Sequence, residues 1–185
     1  RSRLLYEGHL DFDRVFQSDD IDFILAPGSY FDRQIGGGSG YMAPLASLRY
    51  HNKGFLEEID HRTHTARSVV DSGVAVPGHR DGFPNEDAPI AGLRREFSMA
   101  LINGPSLWWF DMFGGWFEPE RVMSALNQMR QLWSQYAPES TAPTAEIAMV
   151  VDAESMFYVD CEASILPDFL MAQRGGLNRC GAPYD

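Results

Sequence analysis

The sequence predicts an α/β protein with a parallel sheet, read as a piece of a larger chain. Three observations carry this. Short apolar runs alternate with helix-like stripes in the order strand, helix, strand, helix, strand, helix, which calls for right-handed crossovers onto a parallel sheet. A polar, Pro-containing stretch at 137–144 (APESTAPT) then interrupts the pattern. Beyond it, 145–185 supplies one strand and one helix, too little to bury a core alone. Three strands do not close a barrel, so both ends read as cut. The expected organisation is a first domain at 1–138, a linker at 139–144 and the start of a second domain at 145–185.

Each element has a local reason. Residues 22–27 (DFILAP) form a short apolar run ended by Pro27-Gly28. The loop 34–41 holds Gly36, Gly37, Gly38 and Gly40 but lacks the order of a phosphate-binding loop. Residues 42–51 read as a short helix, with Leu45, Leu48 and Arg49 at helical spacing, and 54–64 as the second strand. The stretch 65–89 is long, rich in Gly, Pro and Asp, and without period. Ile90, Leu93, Phe97 and Leu101 form one helical stripe, stopped by Asn103-Gly104-Pro105. A third strand is expected at 106–113 with a turn at Gly114-Gly115. Pro119 suits the first turn of a helix whose buried face is Val122, Leu126, Met129 and Trp133. Residues 146–152 (EIAMVVD) read as a fresh strand and 165–172 as a helix closed by Gly175-Gly176. Residues 181–185 stop as a second strand is about to begin.

Composition narrows the functions. The net charge of −11, from Lys+Arg 15 against Asp+Glu 26, argues against nucleic acid and against an anionic membrane surface. A 12% aromatic content over a 44% hydrophobic chain suits both a core and a ring-binding cleft. Cys161 and Cys180 lack metal-site spacing and read as free thiols. No apolar run is long enough to span a membrane, and no signal peptide is visible at Arg1. The compartment stays open.

The densest chemistry lies in 54–63 (GFLEEIDHRT). Side chains alternate along a strand, so Leu56, Glu58, Asp60 and Arg62 are expected on one face. Two carboxylates and a guanidinium ending an apolar strand are costly unless they pair or face a polar pocket, such as the mouth of a (β/α)8 barrel. One reading is an active-site strand; the other is a structural Asp60–Arg62 network. Tyr30 and Arg33 follow the first strand and Trp109, Asp111 and Trp116 the third, so all converge on one mouth. Of the consecutive Trp108 and Trp109, Trp109 is expected in the pocket because Asp111 shares its face, although Tyr30 and Arg33 equally suit a role in holding the following loop. Carboxylates beside aromatic faces suit glycoside chemistry, in which a ring packs on the sugar and a carboxylate attacks the anomeric carbon. The histidines do not form a metal motif: His61 and His64 fall on opposite strand faces, and no HExxH helix exists. No Gly-x-Ser-x-Gly elbow is present. No cofactor is expected.

Four stretches together resemble the glycoside hydrolase family 42 β-galactosidases and their relatives: 22–33 (DFILAPGSYFDR), 53–63 (KGFLEEIDHRT), 94–97 (RREF) leading into 108–116 (WWFDMFGGW), and 146–152 (EIAMVVD). The resemblance implies strands six to eight of a (β/α)8 barrel, then the first strand and helix of a flavodoxin-like trimerisation domain. It further implies a Glu nucleophile at the end of the seventh strand, matched best by Glu58, with Glu57 as the alternative. The acid/base Glu belongs to the fourth strand, before Arg1. The expected activity is therefore that of a retaining β-glycosidase fragment, inactive by itself, acting on carbohydrate and belonging to a homo-oligomer (a trimer) when full length. Asp60 and Arg62 are expected to orient Glu58, Trp109, Trp116 and Tyr30 to platform the sugar, and Arg33 and Asp111 to bond it. The Glu-x-Asp-x-Arg-Thr form departs from the simpler family pattern. The alternative is a non-catalytic carbohydrate-binding or assembly protein on a barrel scaffold.

Overall fold

The computed structural model describes residues 11–66, 83, 85–137, 142–160 and 167–185. The chain divides into two compact units, one formed by Arg1–Ile24, Ala43–Phe55 and Thr144–Asp185, the other by Leu25–Met42 and Leu56–Pro143. A three-stranded sheet has the order β1 (Phe23–Pro27), β2 (Gly54–Ile59), β3 (Ser106–Trp109). Strands β2 and β3 are parallel, with Glu58 opposite Trp108 and Ile59 opposite Trp109. The mixed α/β class with a parallel sheet is as the alternating pattern requires. Most of the long stretch 65–89 lies outside the described residues.

In the second unit, helices α3 (Asp87–Asn103) and α4 (Glu120–Tyr136) cover one face of the sheet. The Asn85 side chain starts α3 by accepting from the N–H groups of Asp87 (3.0 Å) and Ala88 (3.1 Å). Gly104, at φ 84°, ends it in the left-handed conformation that a Cβ disfavours. The core joins Ile59 to Ile90, Leu93 and Phe97 of α3 and to Val122, Ala125, Leu126 and Met129 of α4, with Leu107, Trp109 and Trp133 packed against it. These are the stripes read from the sequence. Strand β3 ends at Trp109, four residues before the expected limit, because the chain turns there into the loop that carries Trp116.

The first unit holds α1 (Phe12–Gln17) and α2 (Leu45–Tyr50), with Phe16 and Leu48 buried. Its C-terminal part corrects three expectations. The segment 146–152 is not a continuous strand: one parallel bridge joins Ile147 to Tyr184, extended by the hydrogen bond Met149 N to Asp185 O (2.6 Å). Among the described residues no third strand joins this pair of segments, and Val150 and Val151 are exposed. The helix does not close at Gly175-Gly176. A π-helical turn at Pro167–Ala172 runs into α5 (Gln173–Cys180), which ends at Gly181, φ 70°. Gly176 has open space around it, so a larger side chain would fit there. The same isolated bridge is the only pairing of 181–185 among the described residues, so no regular strand forms there either.

Candidate functional site

Strand β2 separates its two glutamates. Phe55, Glu57 and Ile59 point to the buried face, while Leu56 and Glu58 point to the other and are half-buried. On that other face Leu25 and Trp108 are exposed. Trp109 instead leans on the helix-covered core, with its ring 6.4 Å from Phe117. The face expected for the tryptophan pair is thus reversed: Trp108 is the neighbour of Glu58 in the sheet. The sequence could not settle this, because a consecutive pair always splits across a strand and only the helices decide which side is covered.

Asp60 is the centre of the polar cluster. Tyr30 donates its hydroxyl to Oδ2 at 2.9 Å, and Arg33 Nη1 meets Oδ1 at 2.5 Å. Both partners of this ion pair are buried, and the Arg33 guanidinium also sits 4.2 Å from the centre of the Tyr30 ring. Burial and then the Asp60 charge push the Tyr30 hydroxyl up to about 12. The anticipated Asp60–Arg62 network is therefore an Asp60–Arg33 pair. Glu58 lies close enough to this group that burial, and after it the Asp60 charge, raise its carboxyl above the ordinary value.

Arg62 lies over Trp116, 5.5 Å from the ring centre. The loop under it is pinned from several sides. The Trp116 backbone N–H donates to Asp111 Oδ2 (3.0 Å), Thr65 donates to the Gly115 carbonyl (2.7 Å), and Thr63 donates to the Trp116 carbonyl. Gly114 and Gly115, at φ 79° and 82°, take the left-handed conformations the turn needs. Asp111 thus shapes the loop through Oδ2, while its buried Oδ1 has no partner among the described residues.

A second buried cluster lies on the helix side of β2, and sequence reasoning missed most of it. Glu57 is fully buried, and neither carboxyl oxygen has a hydrogen-bond partner among the described residues. Burial, and then the charge of Glu96, raise its pKa to about 8. Gly28 lies against it: a Cβ there would stand 3.2 Å from Oε1. Glu96 is also fully buried but well partnered, by Ser39 Oγ (2.9 Å) and Arg95 Nε (2.8 Å). His61 Nε2 is 3.2 Å from Glu96 Oε1, within ion-pair range but out of line for a hydrogen bond. Burial would raise the Glu96 pKa; His61 and Arg95 outweigh it and hold Glu96 below the ordinary carboxylate value. Arg95 also binds the carbonyls of Arg33 (2.6 Å), Gln34 (2.9 Å) and Gly37 (2.7 Å), which fixes the loop that delivers Tyr30 and Arg33. The available signal was the position of Glu96, one turn from Leu93 and Ala100 inside an apolar stripe.

The structure therefore gathers Tyr30, Arg33, Glu58 and Asp60 around one strand end and sets Arg62 on Trp116. Trp109 stands on the far side, and Asp111 serves the loop. Among the described residues no group of three His, Cys, Asp or Glu side chains could hold a metal ion, and no helix is long and apolar enough to cross a membrane. No family model, curated protein or solved structure matches this chain.

Proposed function

We propose that this chain is the C-terminal part of the catalytic barrel of a retaining β-glycosidase, followed by the start of an oligomerisation domain. Glu58 is its nucleophile. The observation that carries the reading is the separation of the two glutamates by β2. Glu57 faces the helices, without partners, and is held neutral near pH 7. Glu58 faces the side on which Leu25 and Trp108 are exposed, the side that forms the lumen of a closed (β/α)8 barrel. A nucleophile must be reachable, and of the two only Glu58 lies off the buried face. The parallel bridge between Ile147 and Tyr184, with α5 between them, supports the beginning of a second α/β unit.

In this reading a Glu58 oxygen attacks the anomeric carbon. The glycosidic C–O bond breaks, and the leaving oxygen takes a proton from an acid/base carboxyl on another strand of the complete barrel. Water then displaces Glu58 and gives that proton back. The buried Arg33–Asp60 pair, capped by the exposed Tyr30, holds the strand end, so that Glu58 meets a fixed surface. Trp108 supplies an exposed aromatic face, whereas Trp116, expected as a platform, is buried in the core at 3% exposure.

The test is Glu58→Gln in the complete protein, assayed on aryl β-glycosides. Turnover should fall by at least about 10³-fold while sugar affinity remains. Loss of turnover in Glu57→Gln instead would move the nucleophile to Glu57. A wild-type protein that binds sugar without hydrolysing any glycoside would make the barrel a binding scaffold.

A further inference from the structure

The loop 28–41 is anchored on three buried ionisable groups. Glu57 of β2 is fully buried, and neither of its oxygens is hydrogen-bonded among the described residues. Gly28, at the root of the loop, packs so closely on it that a Cβ there would stand 3.2 Å from Oε1 and 4.0 Å from His61 Cε1. His61, just past the strand, is buried too, and neither ring nitrogen is hydrogen-bonded among the described residues. Glu96 of α3 takes the far end of the loop through Ser39 Oγ (2.9 Å), and its partner Arg95 takes the carbonyls of Arg33, Gln34 and Gly37. The loop's own charges are engaged elsewhere: Asp32 accepts from Gln34 and from the Gly38 N–H, and Arg33 pairs with Asp60. Beside Glu57 in the sheet stands Leu107. The ionisable groups around Glu57 are thus His61, Glu96 and, through Glu96, Arg95.

A proton on Glu57 lets this cluster stay dry. Its loss sets an unpartnered charge beside Glu96, and such a charge draws water. Strand β2 and helix α3 cannot yield without breaking the core, to which they give Ile59, Ile90, Leu93 and Phe97. The loop can. Its buried side chains Ser29, Asp32, Arg33 and Ser39 are polar, Phe31 and Ile35 are exposed, and none of its residues belongs to the apolar core. Segments held in this way open most readily. We infer that the loop 28–41 is a proton-operated latch: it stays shut over β2 while Glu57 is protonated, and opens more often once Glu57 releases its proton to solvent, lifting Tyr30 and Arg33 off Asp60. The latch does not depend on whether Glu58 is a nucleophile.

Amide hydrogen exchange followed by NMR on this chain tests it. The reporters are the N–H groups of Ser29 and Ser39, which bind the Gly40 and Asp32 carbonyls inside the loop (both 2.8 Å), set against Phe110, which binds the Ile59 carbonyl in the sheet (2.9 Å). Burial and the Glu96 charge push the Glu57 pKa from 4.5 up to about 8. Within that window each opening releases one proton. Divided by the intrinsic exchange rate, the loop's opening equilibrium should therefore rise ~10-fold per pH unit, roughly 100-fold from about pH 5.5 to about pH 7.5. Glu96 is ionised in both states over this range, because its pKa is depressed when the loop is shut. Phe110 should stay more protected than the two serines throughout, and Glu57→Gln should flatten their dependence on pH. If that variant does not fold, Glu57→Met, of similar length and without a titrating proton, takes its place. A flat response of Ser29 and Ser39 in the wild type overturns the inference without any variant. Equal protection of Ser29, Ser39 and Phe110 overturns it too, for the opening would then be global unfolding. A slope that survives the loss of the Glu57 carboxyl assigns the proton to another group, His61 first, and sinks the latch as well.

Discussion

Replacing Glu57 by Gln should change how the stability of this protein depends on pH. The carboxyl titrates near 4.5 in an ordinary setting and near about 8 where it is buried beside Glu96. Between those values the folded chain holds a proton that the unfolded chain has released, so stability falls as pH rises. At ~1.4 kcal/mol per pH unit, the loss accumulated by about pH 8 is of the order of 5 kcal/mol. Glu96 acts in the opposite sense and in another window, since its depressed pKa costs stability only as pH falls below the ordinary carboxylate range. The interval from pH 5 to 8 therefore belongs mainly to Glu57 among these buried carboxyls. Gln is close in shape and neutral throughout. At pH 5 the variant should match the wild type or lose ~1 kcal/mol for its extra buried donor. Near pH 8.5 it should be the more stable form by several kcal/mol. Urea unfolding followed by tryptophan fluorescence reads this directly, because Trp108, Trp109, Trp116 and Trp133 all lie in the unit that contains Glu57. Two stability curves that stay parallel from pH 5 to 8.5 would refute the reasoning, for they would mean that Glu57 is charged and solvated.

Three further outcomes follow from the same geometry. Asp60→Ala strands the buried Arg33 guanidinium and should destabilise the fold by ~3–5 kcal/mol in urea unfolding; a cost below ~1 kcal/mol would show the pair to be solvated. In an ultraviolet titration Tyr30 should ionise last among the tyrosines, near about 12, and Asp60→Asn should bring its midpoint back toward 10.0; an unmoved midpoint would remove Asp60 as a cause. Leu93→Ala, in the fully buried contact of α3 with the sheet, should cost ~2–5 kcal/mol by denaturant midpoint, whereas an exposed-face change such as Ile102→Ala should cost well under 1 kcal/mol.

Much of the unit that carries the site was legible residue by residue. The stripes Ile90–Leu93–Phe97 and Val122–Leu126–Met129 are written at helical spacing, and both bury as read. Gly104 ends α3 for a local reason, its positive φ. Glu58, Asp60, Tyr30 and Arg33 were marked by charge at strand ends, and they do assemble.

What stayed illegible depended on partners far along the chain. Asp60 chooses Arg33, 27 residues away, over Arg62, two residues away, because the loop after β1 is folded back and held by Arg95. That choice leaves Arg62 with no ion pair among the described residues. The face of Trp109 follows from the side on which α3 and α4 pack, which strand alternation leaves open. Glu57 is indistinguishable from Glu58 in the sequence, and only burial against Gly28 and Glu96 makes it a neutral acid. The sequence by itself determined which segments turn helical or extended, because those choices are made by spacing and turn chemistry over a few residues. The tertiary structure decided which charges meet and which are left alone, because burial and pairing exist only after distant segments are brought together.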